Sequence, residues 1–392
     1  MATVPLARPG SASVVADPTA PAFEGFTYGE LSLLVGSSRP ASLRWLAEFL
    51  APAFRLGPRD AYRATVTLEE DSRRYKELRL GRPPVGTVEL DCFVNDTDVI
   101  RLPAWASAPG ATTAFQRRSR ALYAVDRERR SVTVVSPEGN PTARTALMRV
   151  VRELAMNRSL RDGGVLLHAA GLAREGRAML IAGPKHAGKT TLLLHLLRHT
   201  GADFVANDRV LLPSATSTTL RGMPSIVTLR PGTLAFFPGL QRDLQRRSYY
   251  YRRTLAEAAA RPRPVRPWPD GRVGLSPAQL CALLGVAPTA EGTASVILFP
   301  RVTGSPDTGR LVDLTPDDAR ARLRRALLSA GLSKKTSDLV TFPDDPPAPD
   351  HEQLEALSGA LAERVRCLEC QLGTRSYETG ALAAECLRVL AG

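Results

Sequence analysis

A short glycine-containing motif constrains this 392-residue chain more than any other feature of its sequence. Gly183-Pro-Lys-His-Ala-Gly188-Lys189-Thr190 matches the phosphate-binding P-loop pattern G-x-x-x-x-G-K-[ST] at every required position. The apolar run AMLIA precedes the motif and a leucine-rich run follows it, which favours a strand, a loop and a helix in that order. A loop that matched the pattern by chance and bound no ligand would not need a strand before it and a helix after it. The sequence therefore predicts a phosphate-binding loop between a strand and a helix.

Each position of this motif has a physical role in holding phosphate. The loop turns its backbone N–H groups inward, and the helix N-terminus adds positive potential. Gly183 and Gly188 allow backbone angles that a Cβ would resist. Lys189 is predicted to reach the β- and γ-phosphates of a nucleotide, and the Thr190 hydroxyl to bind Mg²⁺. The predicted nucleotide-binding residues are Gly183, Pro184, Lys185, His186, Ala187, Gly188, Lys189, Thr190 and Thr191.

Two further polar residues lie within apolar runs beside the motif. Asp208 follows the run FVAN, and an acidic residue at a strand end beside a P-loop is suited to hold Mg²⁺ directly or through water. The alternative is a turn residue that caps the strand end. His168 lies in the preceding strand-like run GVLLHAAGLA, where a lone histidine is more often a core residue than a functional one. The sequence thus predicts Asp208 as a metal ligand. A functional role for His168 is favoured only by the family resemblance described below.

The stretch 161–210 resembles the catalytic domain of HPr kinase/phosphorylase, and more closely the HPr-kinase-like proteins of bacterial biosynthetic operons. The likeness depends on His168, the 183–190 motif and the run Asn207-Asp208-Arg209-Val210, which match the family in order and spacing. It extends more loosely over 161–392. The resemblance implies a P-loop kinase domain with a mixed sheet, of the type shared with phosphoenolpyruvate carboxykinase. It also implies ATP and Mg²⁺ as cofactors, and Lys189, Asp208 and His168 as catalytic residues.

One position departs from the family pattern. The family has an Asp-Asp pair whose first member acts as general base, whereas this chain has Asn207 there. An amide does not accept a proton at neutral pH. Asp208 or His168 then takes over as base, or the reaction needs little base assistance because phosphoryl transfer is mostly positioning and charge stabilisation. The substitution weakens the expectation that the HPr protein itself is the acceptor, and with it the expectation of the reverse reaction.

Several weaker patterns favour ordinary structural roles. His195 and His199 have the i, i+4 spacing of zinc ligands, but helix-surface histidines are the favoured interpretation. Cys367 and Cys370 form one C-x-x-C in a strand-like run, which favours structural thiols over a redox or metal site. Arg230 and Arg301 end predicted strands and are candidate phosphate contacts.

The chain divides into three parts by pattern. Residues 1–22 are small and proline-rich and predict a disordered leader. Residues 23–160 predict a small α+β domain, with a helix between Tyr28 and Arg55 followed by short strands and a helix from Thr142 to Leu160. Residues 161–392 form the α/β domain that contains the motif. Within it, 241–272 is rich in arginine and proline and predicts a mobile, exposed insert or a lid.

The charge balance is consistent with an anionic substrate. The chain has 52 basic and 39 acidic residues, a net charge of +13, and only five of the basic residues are lysines. Aromatic residues are 6% of the chain, which argues against a surface that stacks single-stranded nucleic acid. The five cysteines are too few for a disulfide framework, and no apolar run approaches the roughly 18–20 residues of a membrane span. We therefore expect a cytoplasmic protein with no nucleic-acid or membrane partner, and a homo-oligomer is left open.

Three classes of function remain open from the sequence. The first is a kinase that transfers the γ-phosphoryl group of ATP to the hydroxyl of a small metabolite. The second is a kinase for serine or threonine of a peptide or carrier protein. The third is a nucleotide-binding regulatory module without an acceptor. Lys189, Thr190 and Asp208 are all present, which favours catalysis over binding alone.

Overall fold

The structure of the protein is a computed structural model. The structure describes residues 21–81, 86–94, 98–214, 217–263, 267–327, 336–347 and 350–392. The predicted leader lies outside these residues except for its end, where the first strand begins at Ala22. Among the described residues, no helix combines the length and apolarity needed to cross a membrane.

The first half of the chain forms a nine-stranded sheet in the described residues, with helices packed against it. In chain order its elements are β1 (Ala22–Tyr28), β2 (Leu31–Ser37), α1 (Pro40–Leu50), β3 (Arg55–Gly57), β4 (Ala64–Glu70), α2 (Ser72–Leu80), β5 (Val88–Val94), β6 (Val99–Ala108), β7 (Ala111–Gln116), β8 (Ala121–Asp126), β9 (Ser131–Ser136) and α3 (Ala143–Arg161). The strand order is β3-β1-β2-β4-β9-β8-β7-β6-β5. Strand β4 runs parallel to both β2 and β9, and the other pairs are antiparallel.

The second half forms a second mixed sheet. Its elements are β10 (Val165–Leu167), β11 (Ala169–Arg174), β12 (Arg177–Ala182), α4 (Lys189–Thr200), β13 (Asp203–Ala206), β14 (Val210–Leu212), β15 (Thr219–Gly222), β16 (Val227–Leu229), α5 (Pro231–Ala235), α6 (Pro238–Arg246), α7 (Leu255–Ala260), β17 (Val273–Leu275), α8 (Pro277–Leu284), β18 (Glu291–Val302), β19 (Arg310–Asp313), α9 (Pro316–Ala326), α10 (His351–Arg364), β20 (Arg366–Leu372) and α11 (Ala381–Ala391). Strands follow the order β10-β14-β15-β18-β12-β11-β13, and β20 joins β18 to β19. Strands β12, β18 and β20 are parallel neighbours.

Helices cover both faces of this second sheet. One apolar core contains α4, α5, α6, α8 and α11, and the other contains α9 and part of α10. The predicted α/β class with a mixed sheet is therefore confirmed. A third core surrounds α3 and includes Leu166, Leu211 and Met223 from the second half of the chain. Helix α3 thus packs against both sheets, and the boundary near residue 160 stays a prediction.

The predicted helix between Tyr28 and Arg55 is wrong over its first part. Leu31, Leu33 and Val35 alternate with less buried residues in β2, so the segment has the period of two that a strand requires. The helix begins only at Pro40, whose fixed φ suits the first helical position. Strand β7 and helix α2 were not predicted, whereas α3 lies within one residue of the prediction at each end.

The insert at 241–272 is anchored at its centre rather than exposed throughout. Tyr249 and Tyr251 are buried, and the Trp45 indole Nε1–H of helix α1 donates a hydrogen bond of 2.9 Å to the Tyr251 carbonyl. Arg144 of α3 makes a bidentate ion pair with Glu257, at 2.9 and 3.0 Å. The prediction of an exposed insert is wrong for these described residues, because the aromatic residues between the arginine clusters fill an apolar space against α1 and α3.

Candidate functional site

The 183–190 loop connects β12 to α4, so the predicted strand, loop and helix are confirmed in that order. Gly183, His186 and Gly188 have φ angles of 154°, 69° and 94°, so the backbone turns through the left-handed region three times. Glycine meets this demand without strain at two of the three positions. Successive N–H groups in such a turn, together with a helix N-terminus, form a concavity suited to an anion.

Lys189 folds back over this loop. Its Nζ donates hydrogen bonds to the carbonyl oxygens of Gly183 and Pro184, at 2.7 and 3.0 Å. Lys189 is buried, whereas Lys185 on the outer part of the loop is exposed. The ammonium group is therefore held at the centre of the loop, where a bound phosphate would meet it.

The loop opens onto a cleft of about 760 Å³. Its lining brings together residues that lie far apart in the sequence: His168, Lys185, His186, Gly188, Lys189, Thr190, Thr191, Asn207, Asp208, Ile226, Thr228, Arg230, Pro231, Gly232, Thr233, Phe236 and Arg272. Gly183, Pro184 and Ala187 of the predicted set belong to the loop but not to this lining. The predicted residues His168, Lys189, Thr190 and Asp208 thus share one cleft.

His168 and Asp208 meet because two predicted strands are each interrupted. The run around His168 divides into β10 and β11, and the run around Asp208 divides into β13 and β14. Strand β10 pairs with β14 and β11 pairs with β13, so both interruptions lie at the same level of the sheet. The His168 Nε2 atom lies 3.1 Å from Oδ1 of Asp208. The sequence predicted both residues as site members but not this contact.

The electrostatic surroundings hold Asp208 in its ionised form. Burial alone would raise the pKa of its carboxyl, but the hydrogen bond from His168 and the positive charges of Arg209 and Arg152 lower it well below the usual range. The Arg209 Nε atom lies 3.5 Å from Oδ2 of Asp208. A carboxylate with so low a pKa is a weak proton acceptor, and it remains available to bind a cation at neutral pH.

Arg152 is a site residue without a signal in the sequence. It lies on α3, and its guanidinium donates a hydrogen bond of 3.0 Å to Ser225 Oγ. Burial and the neighbouring Arg209 lower the pKa of Arg152 to about 9. Helix α3, which belongs to the predicted N-terminal domain, therefore supplies a positive charge that lowers the pKa of Asp208.

Asn207 is buried at the edge of the cleft. Its amide Nδ2 is 3.4 Å from the carbonyl oxygen of Ile226, to which it donates, and its Oδ1 has no hydrogen-bond partner among the described residues. An aspartate here would place a carboxylate oxygen against the Ile226 carbonyl, which would disfavour its ionised form. The local backbone thus suits asparagine better than the aspartate of the family pattern.

The two weaker arginine candidates lie in different surroundings, and only one of them lines the cleft. Arg230 is exposed and lines the cleft immediately before α5. Arg301 instead pairs with Glu369, at 2.7 Å from its Nε, and is absent from the cleft lining. Arg272, which the sequence analysis did not single out, lines the cleft and lies over the Trp268 ring at 5.1 Å.

The cysteine pair of the C-x-x-C pattern does not form a common site. Cys367 and Cys370 lie on β20, and each belongs to a different core on opposite faces of the sheet. Both thiols are free and buried, and burial raises the pKa of each. Both are structural thiols, as the favoured interpretation predicted, but they lie in different cores and do not form a pair.

The surface interpretation of the two histidines is wrong for one of them. His195 is fully buried and stacks beside His199 and Tyr377, with ring centroids 4.7 and 5.3 Å away. Neither ring nitrogen of His195 has a hydrogen-bond partner among the described residues. His199, one turn later, is exposed. No group of three or more metal-ligating side chains occurs in the part of the chain that the structure describes, so the zinc spacing is not completed by a third ligand there.

The buried imidazole of His195 predicts a pH-dependent stability. Burial, with the charges of His199 and Arg198, lowers the pKa of His195 from 6.5 to about 4. The contribution of the buried neutral imidazole to stability is therefore fully present above about pH 6.5 and is progressively lost as the pH falls towards 4. We expect His195 to destabilise the fold by about 2 kcal/mol at pH 5 relative to pH 7. Thermal denaturation should show a smaller pH 5-to-7 difference in His195→Leu than in wild type.

The exposed His199 provides the matched control for this prediction. His199→Gln on the same helix should retain most of the wild-type difference between the two pH values, because burial is the largest cause of the lowered pKa of His195 and the charge of His199 only adds to it. A His195→Leu variant whose melting temperature changes with pH as in wild type would contradict the assignment of a buried neutral imidazole.

The residues of the cleft fit Mg²⁺ bound together with a triphosphate. Magnesium is usually held by one or two carboxylates plus phosphate oxygens, and it keeps several waters. The cleft supplies the ionised and partly exposed carboxylate of Asp208 and the hydroxyl of Thr190. Lys185, Lys189, Arg230 and Arg272 add positive charge for the phosphates.

Comparison with known proteins found no relative: neither a family model nor a curated protein matches this chain. The family resemblance therefore depends on the motif residues of the sequence alone.

Proposed function

We propose that this protein is a kinase of the HPr-kinase-like type, which transfers the γ-phosphoryl group of ATP to a hydroxyl acceptor. The observation that supports this proposal most is the shared cleft, in which the 183–190 loop faces the His168–Asp208 pair. A loop for phosphate alone would not need an ionised carboxylate and an imidazole at the same opening. The free thiols and the charge balance fit a cytoplasmic enzyme.

Lys189 and the backbone of the loop stabilise charge on the phosphates. In the proposed complex, Lys189 exchanges its carbonyl partners for oxygens of the β- and γ-phosphates. Thr190 and Asp208 would hold Mg²⁺, and the bound ion would supply positive charge to the transferred group. Arg230 and Arg272 line the same cleft and add positive charge. Positioning and charge stabilisation of this kind account for most of the catalysis of phosphoryl transfer.

His168 is the residue that accepts the proton of the acceptor hydroxyl in this proposal. Asp208 is a poor base because its pKa is depressed, and Asn207 has no basic group. The Nε2–H group of His168 donates to Asp208, so the proton-accepting nitrogen of the neutral ring is Nδ1. Asp208 thereby fixes the tautomer of His168 in addition to holding the metal ion.

The acceptor class is tested by product analysis. The wild-type protein is incubated with Mg²⁺ and γ-labelled ATP, in one arm with a pool of small hydroxyl metabolites and in another with serine- and threonine-containing peptides. We expect the mass of one phosphoryl group on a small metabolite; label on a peptide would identify the second kinase class instead. Nucleotide binding without a phosphorylated product in either arm would overturn the kinase proposal in favour of a regulatory module.

A further inference from the structure

Two strongly exposed apolar side chains lie beside the phosphate-binding loop. Phe236 lines the cleft and is 46% exposed, and Val302 at the end of β18 is 65% exposed. Single exposed apolar residues are common and need no explanation. These two are different because they belong to one contiguous surface next to a cleft that is otherwise rich in cations.

Tyr377 connects the two residues. Its ring packs edge-on against Phe236, with centroids 5.0 Å apart. A Cβ built on Gly188 would lie 3.9 Å from Tyr377 Oη, 4.0 Å from Val302 Cγ2 and 3.4 Å from Leu372 Cδ1. Phe236, Val302 and Tyr377 therefore form an apolar shelf that borders the loop at Gly188, with the buried side chain of Leu372 beside it.

The shelf is placed where the non-phosphate part of a nucleotide would extend. The Thr191 hydroxyl at the start of α4 lies 3.1 Å from the Thr233 hydroxyl, only three residues before Phe236. Val302 and Leu372 end β18 and β20. Strand β18 is the parallel neighbour of the strand that leads into the loop, and β20 is the parallel neighbour of β18. Ligands of α/β sheets bind beyond the carboxyl ends of such strands.

Polar side chains near the shelf are engaged with the protein itself. Thr303, next to Val302, donates its hydroxyl to the Leu372 carbonyl at 3.2 Å. Asp307 accepts a hydrogen bond from the Ser305 hydroxyl. The shelf thus offers aromatic and aliphatic contact, while these neighbouring groups already have partners.

We propose that this apolar shelf binds the nucleobase of the triphosphate, with Phe236 as the stacking residue. The inference depends on the proposed function, because it assumes that the 183–190 loop holds the phosphates. Every base has a π-face, so stacking without hydrogen-bonded readout tolerates different bases. The protein therefore accepts ATP and GTP with similar affinity.

Comparison of nucleotide with a base-free polyphosphate tests the shelf by itself. Dissociation constants are measured by calorimetry for Mg²⁺ with ATP, with GTP and with tripolyphosphate. Base–aromatic stacking is worth about 1–3 kcal/mol, so Phe236→Ala should weaken the binding of ATP and GTP by about 5- to 150-fold. The affinity for tripolyphosphate should not change. Phe236→Trp should restore nucleotide affinity, and Leu80→Ala, which removes an exposed leucine from α2, should match wild type.

The outcomes separate the inference from the function on which it depends. Wild-type protein that binds neither ATP nor tripolyphosphate would overturn the proposed function. Wild-type protein that binds both, with the ATP affinity unchanged in Phe236→Ala, would overturn the shelf alone. A wild-type preference for one of the two bases that persists in Phe236→Ala would also contradict it, because polar readout would then be responsible.

Discussion

Lys189→Ala should lower the rate of phosphoryl transfer by about 10²-fold or more, the usual scale for the loss of one charge-stabilising donor. The Nζ atom of Lys189 lies within hydrogen-bond distance of two loop carbonyls, so the variant removes the positive charge that the loop itself holds. The rate is measured as labelled phosphate transferred to the acceptor. Thermal denaturation should show little loss of stability, because the lost hydrogen bonds are within the loop and Lys189 belongs to neither apolar core of the second sheet.

Lys76→Ala is the matched control for this experiment. Lys76 is an exposed lysine on α2, in the other half of the chain, and its removal changes the net charge by the same amount. Its transfer rate should equal that of wild type. If Lys189→Ala transferred phosphate as fast as Lys76→Ala, the loop would not be the phosphate site.

His168→Gln should lower the rate of phosphoryl transfer at neutral pH by about 10²- to 10⁴-fold, the range typical of a lost general base. Glutamine retains a hydrogen-bond donor towards Asp208 but does not accept a proton. Rates of transfer to the acceptor are measured at neutral pH for wild type and for the variant.

A structural role of His168 predicts a different result. His168→Gln would then lower the melting temperature, while the activity of the folded protein at neutral pH stayed close to that of wild type. That outcome would remove His168 from the reaction and leave the transfer without a base in this cleft, since the pKa of Asp208 is too low for the role.

The sequence predicted the loop and its neighbours because the necessary information is local. The motif from Gly183 to Thr190 determines its own backbone turns, and the flanking apolar runs form the strand and the helix. His168 and Asp208 were predicted as separate members of the site. Their contact depends on two interruptions that align across the sheet, and such an alignment depends on strand pairing, which periodicity does not give.

The residues that sequence reasoning missed come from distant segments. Arg152 lies in a helix with an ordinary amphipathic pattern, and only the packing of α3 against the second sheet brings it near Asp208. Phe236 and Tyr377 are more than a hundred residues apart in the chain. Leucine spacing between Tyr28 and Arg55 suggested a helix, but the alternation of β2 and its pairing with β1 and β4 determine the structure.

The most direct test of the central claim is a crystal structure of the protein with Mg²⁺ and an ATP analogue whose γ-phosphoryl group is not transferable. The proposal predicts that the triphosphate lies in the 183–190 loop, with Lys189 on the β- and γ-phosphates and with Thr190 and Asp208 on the metal ion. An analogue bound elsewhere on the protein, with the loop still closed over Lys189 as it is here, would contradict it.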